Sequence, residues 1–285
     1  MDIYFKAVSK NMNDIKRKLM EKINLENVGV SVITCTNKKN YIDNIFNNFL
    51  RQNYRNKELI IIINNDNIDI NLYKEKSKDH KNIQVYQVEQ RYALGYCLNF
   101  GIKKASNDII SKFDDDDYYG EKYLKECMEA FDSTDADIIG KYTFFIYFES
   151  INALALRKKN LENSFVNNVA GATLSFKKNV SNKVPFCVDK KNGVDTNFRK
   201  RALSKGFKIY STSRFNFVAH RRENSIDHTW KIEDEELLKA FPIIKYTDDY
   251  KDIVSPLEWT RPALAGHRNF GRRLYPHRSG KVKLL

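Results

Sequence analysis

Apolar positions along this chain fall into short blocks whose period alternates between that of a strand and that of a helix. Ile3, Phe5, Val8, Met12, Ile15, Leu19 and Ile23 recur at near-helical spacing with Lys and Asn between them, which predicts an amphipathic helical extension over 1–27. Such a helix can dock on the main body, or face a partner or a membrane surface. Residues 28–34 read as a buried strand, and 41–51 as a helix with Ile42, Ile45, Phe46, Phe49 and Leu50 on its apolar face. A second strand over 58–63 carries four consecutive isoleucines, as expected where both faces of a sheet are covered. The polar cluster Asn64-Asn65-Asp66-Asn67 ends it. Residues 82–88 predict a third strand, 94–105 a helix, 108–113 a fourth strand and 123–131 another helix. Alternation at this spacing predicts an α/β fold with a mostly parallel sheet and right-handed crossovers. The second half is richer in strand-like and aromatic stretches, at 138–148, 172–176, 208–210 and 215–219. No internal repeat or low-complexity linker separates the halves. One continuous domain is therefore expected over 28–231, followed by a helical segment at 232–256.

The polar run after the fourth strand changes the picture. Asp114-Asp115-Asp116-Asp117 places four carboxylates side by side directly after Phe113. Adjacent carboxylates repel one another, which neutral pH tolerates only in open water or around a cation. In open α/β sheets ligands bind beyond the carboxyl ends of the strands, which is where this run falls. Carboxylate oxygens held there are hard ligands suited to Mg2+ or Mn2+ carrying a phosphate substrate. A metal and phosphate site is the better reading than a solvated loop.

Composition narrows the class further. With 285 residues and 42% hydrophobic positions the chain can bury a sizeable core. No apolar run reaches the ~20 residues of a membrane span. The opening Met1-Asp2-Ile3-Tyr4-Phe5-Lys6 lacks the basic-then-apolar order of a signal peptide, so a cytoplasmic protein is expected. Cys35, Cys97, Cys127 and Cys187 are scattered without a CxxC pair, and read as reduced, packed thiols. The net charge of +13 favours anionic partners, among them nucleotides, phosphopolymers and the inner face of an anionic membrane. Nucleic acid is not expected, because basic residues in the body are dispersed among acids. Beyond Pro256 stand Arg261, Arg268, Arg272, Arg273, Arg278, Lys281 and Lys283 against Glu258 alone. This tail, 257–285, reads equally as a functional basic arm or as a vector-derived extension.

Several passages stand in a telling order. Val30-Ser31-Val32-Ile33-Thr34-Cys35-Thr36-Asn37 comes first, then Gln52-Asn53-Tyr54 leading to Glu58-Leu59-Ile60-Ile61. Leu94-Gly95, Leu98-Asn99, Gly101-Ile102 and Ala105 precede the carboxylate run. Downstream come Gly171-Ala172, then Gly193-Val194-Asp195-Thr196-Asn197-Phe198 followed by Arg201-Ala202-Leu203 and Gly206. Together, from Val28 to Trp230, these resemble a family 2 glycosyltransferase of the GT-A fold, a Rossmann-like mixed sheet flanked by helices.

That resemblance implies a metal-dependent inverting transfer of a sugar from a nucleotide diphosphate to an acceptor hydroxyl, in cell-surface or secondary glycoconjugate synthesis. It implies Mn2+ or Mg2+ held foremost by Asp116, with Asp115 and Asp117 able to substitute. Thr34, Cys35, Thr36, Asn64, Leu94, Asn99, Asp114 and Asp115 would contact the nucleotide sugar, and Gly171 and Ala172 would line the acceptor side. Asp195 would be the catalytic base, although its position also suits a plain helix N-cap. A late His often adds a metal ligand in such enzymes; His220 and His228 are the candidates, with His228 slightly favoured. Arg221 and Arg222 would hold the diphosphate bidentately or form a solvated basic turn. Four positions depart from the family pattern. Val194 replaces a usual Glu, Asn64 and Asn65 stand where acidic residues are common, and Leu98 stands where an Arg often precedes the Asn. UDP remains the foremost nucleotide on family grounds, with a glycan, lipid-linked or peptide acceptor. Two other readings stand beside it: a non-catalytic nucleotide-sugar or glycan binding module, and a sugar nucleotidyltransferase. The latter would want a Gly-rich loop after the first strand, which Thr34-Cys35-Thr36-Asn37-Lys38 lacks.

Overall fold

The alternation read from the first half folds into a parallel half-sheet. The computed structural model describes residues 27–157, 161–190, 192–222 and 234–256. The extension expected over 1–27 (save Asn27), His228 and the basic tail lie outside the described residues. Strands β1 (Val30–Thr36), β2 (Lys57–Ile63), β3 (Ile83–Gln87) and β4 (Ile109–Lys112) pair in parallel in the order β3-β2-β1-β4. Helices α1 (Ile42–Leu50), α2 (Ile70–Ser77) and α3 (Leu94–Lys104) connect them. The isoleucine run of β2 shows why both faces must be covered. Leu59, Ile61 and Ile63 pack in one core cluster with Phe46 and Phe49 of α1, while Ile60 and Ile62 pack with Cys97, Leu98 and Ile102 of α3. All five β2 residues are 0% exposed. At about 1.5–3 kcal/mol for each buried aliphatic side chain, this strand alone anchors the sheet.

The second half is mixed. After β5 (Tyr118–Tyr119) and α4 (Tyr123–Ser133) come β6 (Ile138–Gly140), β7 (Phe145–Phe148), β8 (Ala153–Leu156), β9 (Ser164–Val166) and β10 (Ser175–Lys177). Helices α5 (Lys178–Lys183) and α6 (Val194–Ser204) precede β11 (Ile209–Ser211) and β12 (Phe217–Arg221). The first sheet continues from β4 through β10, β6, β11 and β9, with β10 antiparallel to both neighbours. A second sheet runs β13-β8-β7-β12-β5, where β13 is Ile243–Tyr246. The segment expected to be helical at 232–256 is described from 234, and holds this strand between α7 (Asp234–Ala240) and α8 (Lys251–Val254).

One expectation is overturned here. Residues 138–148 do not form a single strand: β6 lies in the first sheet and β7 in the second. The break falls at Lys141, which is 0% exposed and cannot be buried without a counter-charge. Its ammonium lies 2.9 Å from Glu126 Oε2 on α4 and donates to Thr212 Oγ1 and to the Ser213 carbonyl. That buried pair turns the chain from one sheet into the other. No helix among the described residues is long and apolar enough to cross a membrane. The cysteines are all free, with Cys97 and Cys127 buried.

Candidate functional site

The acidic run leaves the end of β4 and turns into β5, beside the carboxyl ends of β1 and β2. Its backbone is held by amide side chains arriving from one direction. Asn44 Nδ2 donates to the carbonyls of Asp115 and Asp117 at 2.8 and 2.9 Å. Asn48 Nδ2 donates to the Asp117 carbonyl at 2.9 Å, and its Oδ1 accepts from the Tyr119 amide at 3.1 Å. Gln52 Nε2 donates to the Gly120 carbonyl at 2.9 Å, and its Oε1 accepts from Leu124 N at 3.1 Å. A spacing of four residues places Asn44 and Asn48 on one face of α1, and Gln52 follows just beyond its end. Sequence reading had noticed only Gln52; the polar stripe on an otherwise apolar helix was the available signal. Phe113 stacks on Tyr119 at 3.8 Å, and the Tyr119 hydroxyl joins the Asp114 amide to the Ala172 carbonyl.

With the backbone fixed, the four carboxylates meet different fates. Asp114 pairs with Lys112. Asp115 Oδ2 accepts from the Thr36 hydroxyl at 2.6 Å. Asp117 Oδ1 accepts from the His220 amide at 2.9 Å. Asp116 is held by its carbonyl, which accepts from Arg222 Nη2 at 2.8 Å, while its carboxylate receives a hydrogen bond from its own amide but from no other described residue. Burial, followed by repulsion from neighbouring carboxylates, pushes Asp115 up to about 7 and raises Asp116 and Asp117. The protein alone thus disfavours full ionisation of the cluster, a cost that a bound cation would relieve. The donor set fits a hard divalent cation, with Asp116 as the carboxylate left for it. No group of three or more His, Cys, Asp or Glu among the described residues is disposed to hold a metal. Mg2+ and its kin are commonly bound by one or two carboxylates, the rest of the shell being water and substrate phosphate.

The late His candidates divide. His220 Nδ1 lies 2.9 Å from Glu149 Oε1 and Nε2 lies 2.5 Å from the Tyr250 hydroxyl, so neither ring nitrogen is left for a metal. Arg221 is buried and paired with Asp234 at 2.5 Å, while Arg222 stands 4.4 Å over the Tyr41 ring at the rim of the acidic loop.

Across the cleft, Asp195 is the second residue of α6. Gly193, at φ 69, is the N-cap and makes no side-chain capping bond. Asp195 therefore does not act as the cap. Its Oδ1 is buried without a hydrogen-bond partner, and its Oδ2 lies 3.3 Å from Lys112 Nζ. Burial raises the Asp195 pKa, with Lys112 acting in the opposite sense. Burial alone would lower the Lys112 pKa, but Asp114 and Asp195 outweigh it and hold the ammonium charged. Lys112 thus bridges the acidic run and Asp195 from a position 3% exposed. Sequence reading passed over it; a lysine within a buried strand, just before four carboxylates, was the signal.

Gly171 opens a short 3-10 turn, Gly171–Thr173, against this carboxylate. A Cβ on Gly171 would stand 2.4 Å from Asp195 Oδ2, well inside contact distance. Gly171→Ala is therefore expected to displace Asp195 and to lower turnover by about tenfold, since small misplacements of a reacting group are costly. Nucleotide affinity should stay unchanged in titrations, and a parental turnover number would show that the turn yields instead.

These groups line one cleft of about 460 Å3, with Leu94, Asp114, Asp117, Ala172 and His220 on its wall beside Asp195 and Gly171. Thr34 is buried in β1, and Cys35 is half-buried with its thiol pKa raised by burial. Asn64 Nδ2 donates to the Glu89 carbonyl at 2.7 Å. Asn99 is engaged elsewhere: its amide bridges the N–H and C=O of Phe186 at 2.9 and 2.8 Å and anchors that loop to α3.

The model of the family described as Glycosyl transferase family 2 matches residues 31–213, and the chain belongs to that family. Among curated relatives, an uncharacterized glycosyltransferase of Haemophilus influenzae is 32% identical over 111 residues, covering 37% of this chain and 33% of its own. A dolichyl N-acetyl-alpha-D-glucosaminyl phosphate 3-beta-D-2,3-diacetamido-2,3-dideoxy-beta-D-glucuronosyltransferase of Methanococcus voltae is 25% identical over 205 residues, 64% of each chain. The chain thus spans less than two thirds of either relative. Among solved structures, S. aureus TarS 1-349 in complex with UDP-GlcNAc aligns with a TM-score of 0.55 at 20% identity, over 75% of this chain and 64% of that one. The mannosyltransferase PcManGT from Pyrobaculum calidifontis, in complex with GDP-Man and Mn2+, aligns with a TM-score of 0.51 at 14% identity, over 69% and 58%. These likenesses show the shared glycosyltransferase fold.

Proposed function

We propose that this chain is a metal-dependent, inverting glycosyltransferase of hexosyl type, moving a sugar from a nucleotide diphosphate to an acceptor hydroxyl. The observation that carries the reading is the buried, unpartnered Asp195 Oδ1 on the wall of a cleft that Asp114 and Asp117 of the acidic run also line. A partly buried carboxylate with a raised pKa is suited to take a proton. Asp195 would accept the hydrogen of the acceptor hydroxyl as the oxygen attacks the anomeric carbon from the face opposite the leaving diphosphate. One such displacement inverts the anomeric centre. Lys112 holds Oδ2 and leaves Oδ1 for that contact, while Gly171 lets the acceptor-side backbone close onto the carboxylate. Asp116 would hold Mn2+ or Mg2+, which when bound offsets charge on the departing diphosphate. Asp114 would meet the ribose or its hydration shell.

UDP is the foremost nucleotide, and the acceptor is a glycan, a lipid-linked saccharide or a peptide. The +13 net charge favours work at an anionic membrane face. The test is a panel of nucleoside diphosphates with Mn2+, scored by thermal shift, because a ligand of the native state raises apparent stability. At least one should raise the melting temperature only with metal present; no shift with any nucleotide would sink the reading. Base choice has its own test. Asn64 has an amide hydrogen engaged by Glu89, which leaves its oxygen to accept from a base edge such as uracil N3–H. Asn64→Asp should then strengthen the preference for UDP over GDP and CDP by about 1.5 kcal/mol, the scale of a hydrogen bond to a charged group. Identical rankings in competition titrations would mean that residue 64 does not face the base.

A further inference from the structure

Two arginines on the wall of this cleft have no carboxylate within ion-pair distance among the described residues. Arg157 follows β8 and lies over the rings of Tyr142 and Phe144, at 4.9 and 5.5 Å from their centroids. Arg199 stands one turn beyond Asp195 on α6 and is 8% exposed. One of its Nη atoms donates to Thr196 Oγ1 at 3.1 Å, but its Nε is buried with no hydrogen-bond partner. Neither forms an ion pair among the described residues. Burial works against both charges; for Arg199 the nearby Asp195 carboxylate acts in the opposite sense, and repulsion from Arg157 adds to the cost.

Other buried cations of this domain are matched: Lys112 to Asp114 and Asp195, Lys141 to Glu126, and Arg221 to Asp234. A buried guanidinium without a partner is costly, so a pair of them lining a cavity marks a place for a negative ligand. Asp195 favours the Arg199 charge but makes no ion pair with it, because its Oδ2 is turned to Lys112. The guanidinium fork matches the oxygen spacing of phosphate and carboxylate, and binds either bidentately.

We propose that Arg157 and Arg199 bind an anionic group, a phosphate or a carboxylate, carried by the acceptor next to the hydroxyl that Asp195 deprotonates. This rests on the transferase reading above for the role of Asp195. The acceptor is the partner because Arg199 lies on the same helix as the base, whereas the donor diphosphate belongs to the acidic run. An acceptor of this kind is a phosphate-bearing polyol or an acidic sugar rather than a neutral saccharide. The two cations would fix which hydroxyl approaches Asp195, giving the enzyme regioselectivity.

The test is calorimetric titration of the full chain at about 0.15 M salt, where long-range surface attraction is screened. The nucleoside diphosphate from the panel is held saturating with Mn2+. The probes are sn-glycerol 3-phosphate against glycerol, and glucuronate against glucose, so that phosphate and carboxylate are told apart. At least one anionic probe should bind tenfold or more tightly than its neutral counterpart. Arg199→Gln and Arg157→Gln should each weaken it at least tenfold, with nucleotide affinity unmoved. Lys200→Gln removes one charge from an exposed position of the same helix and should change nothing.

Equal binding of charged and neutral probes overturns the proposal, as does an equal loss in all three variants, which would reflect net charge alone. Competition between probe and nucleoside diphosphate would assign the arginines to the donor phosphates. Selective loss of UDP-glucuronate over UDP-glucose in the arginine variants, with the acceptor probes unaffected, would assign them to the donor sugar. If Arg199→Gln fails to fold by thermal melt, the half-buried Arg157→Gln and the parental comparison decide. Failure of every nucleotide to bind, with the anionic probe still captured through Arg157 and Arg199, would sink the transferase reading while leaving an anion site.

Discussion

Asp195→Asn lowers transfer to the acceptor by roughly two to four orders of magnitude and leaves nucleotide affinity at the parental value, the expected signature of losing a general base. The geometry makes this substitution clean. Gly193 is the cap of α6, so removing the Asp195 charge does not unravel the helix start. The carboxylate also contributes nothing to the acidic loop directly, since its contact is with Lys112. Asn keeps the size and can still face Lys112 through its oxygen, but it cannot take a proton. The measurement is a single-turnover transfer rate beside a nucleotide titration. A parental rate would place the base elsewhere, and a joint loss of rate and nucleotide affinity would show that Asp195 supports the donor site.

Asp116→Asn should abolish the metal-dependent part of nucleotide binding while leaving the fold as stable as the parent, or more so. Three of the four carboxylates do structural work: Asp114 on Lys112, Asp115 on Thr36, and Asp117 on the His220 amide that ties β12 to the loop. Asp116 has no such contact among the described residues, and burial with repulsion from Asp114 raises its pKa. Neutralising it relieves repulsion and breaks no hydrogen bond to another residue, at the cost of its attraction to Arg222. Nucleotide titrations with and without Mn2+ measure the effect. An unchanged metal-dependent affinity would pass the ligand role to a neighbour. Asp117→Asn makes an instructive comparison, because its melting temperature should fall as the bond to His220 weakens.

Much of this was readable before any coordinates. The isoleucine run at 60–63 required a strand covered on both faces, because four branched apolar side chains in succession have no wet side to offer. The periods over 28–131 then set four parallel strands and the helices at 41–51, 94–105 and 123–131, with the carboxylate run at a strand end, while α2 went unread. The second half was harder. The apolar stretch at 138–148 looked like one strand, yet the demand of Lys141 for Glu126 splits it between sheets. Glu126 is fifteen residues away on another element, and no local period encodes that meeting.

The residue types of the site were therefore fixed by the chain itself: a polar and acidic run after a buried strand, and an aspartate opening a late helix. Which of those residues is free to act is a property of the tertiary structure. Four carboxylates identical in sequence become distinct only once Lys112, Thr36 and the His220 amide have each engaged one of them. His220 loses its ring nitrogens to Glu149 and Tyr250, and Asn99 its amide to Phe186, through contacts from distant segments. Arg157 and Arg199 stand out only because the fold brings both to one cleft, burying Arg199 and half-burying Arg157, with no ion pair to either among the described residues. Availability depends on what is left unpartnered after long-range packing, and that is decided when the segments meet in space.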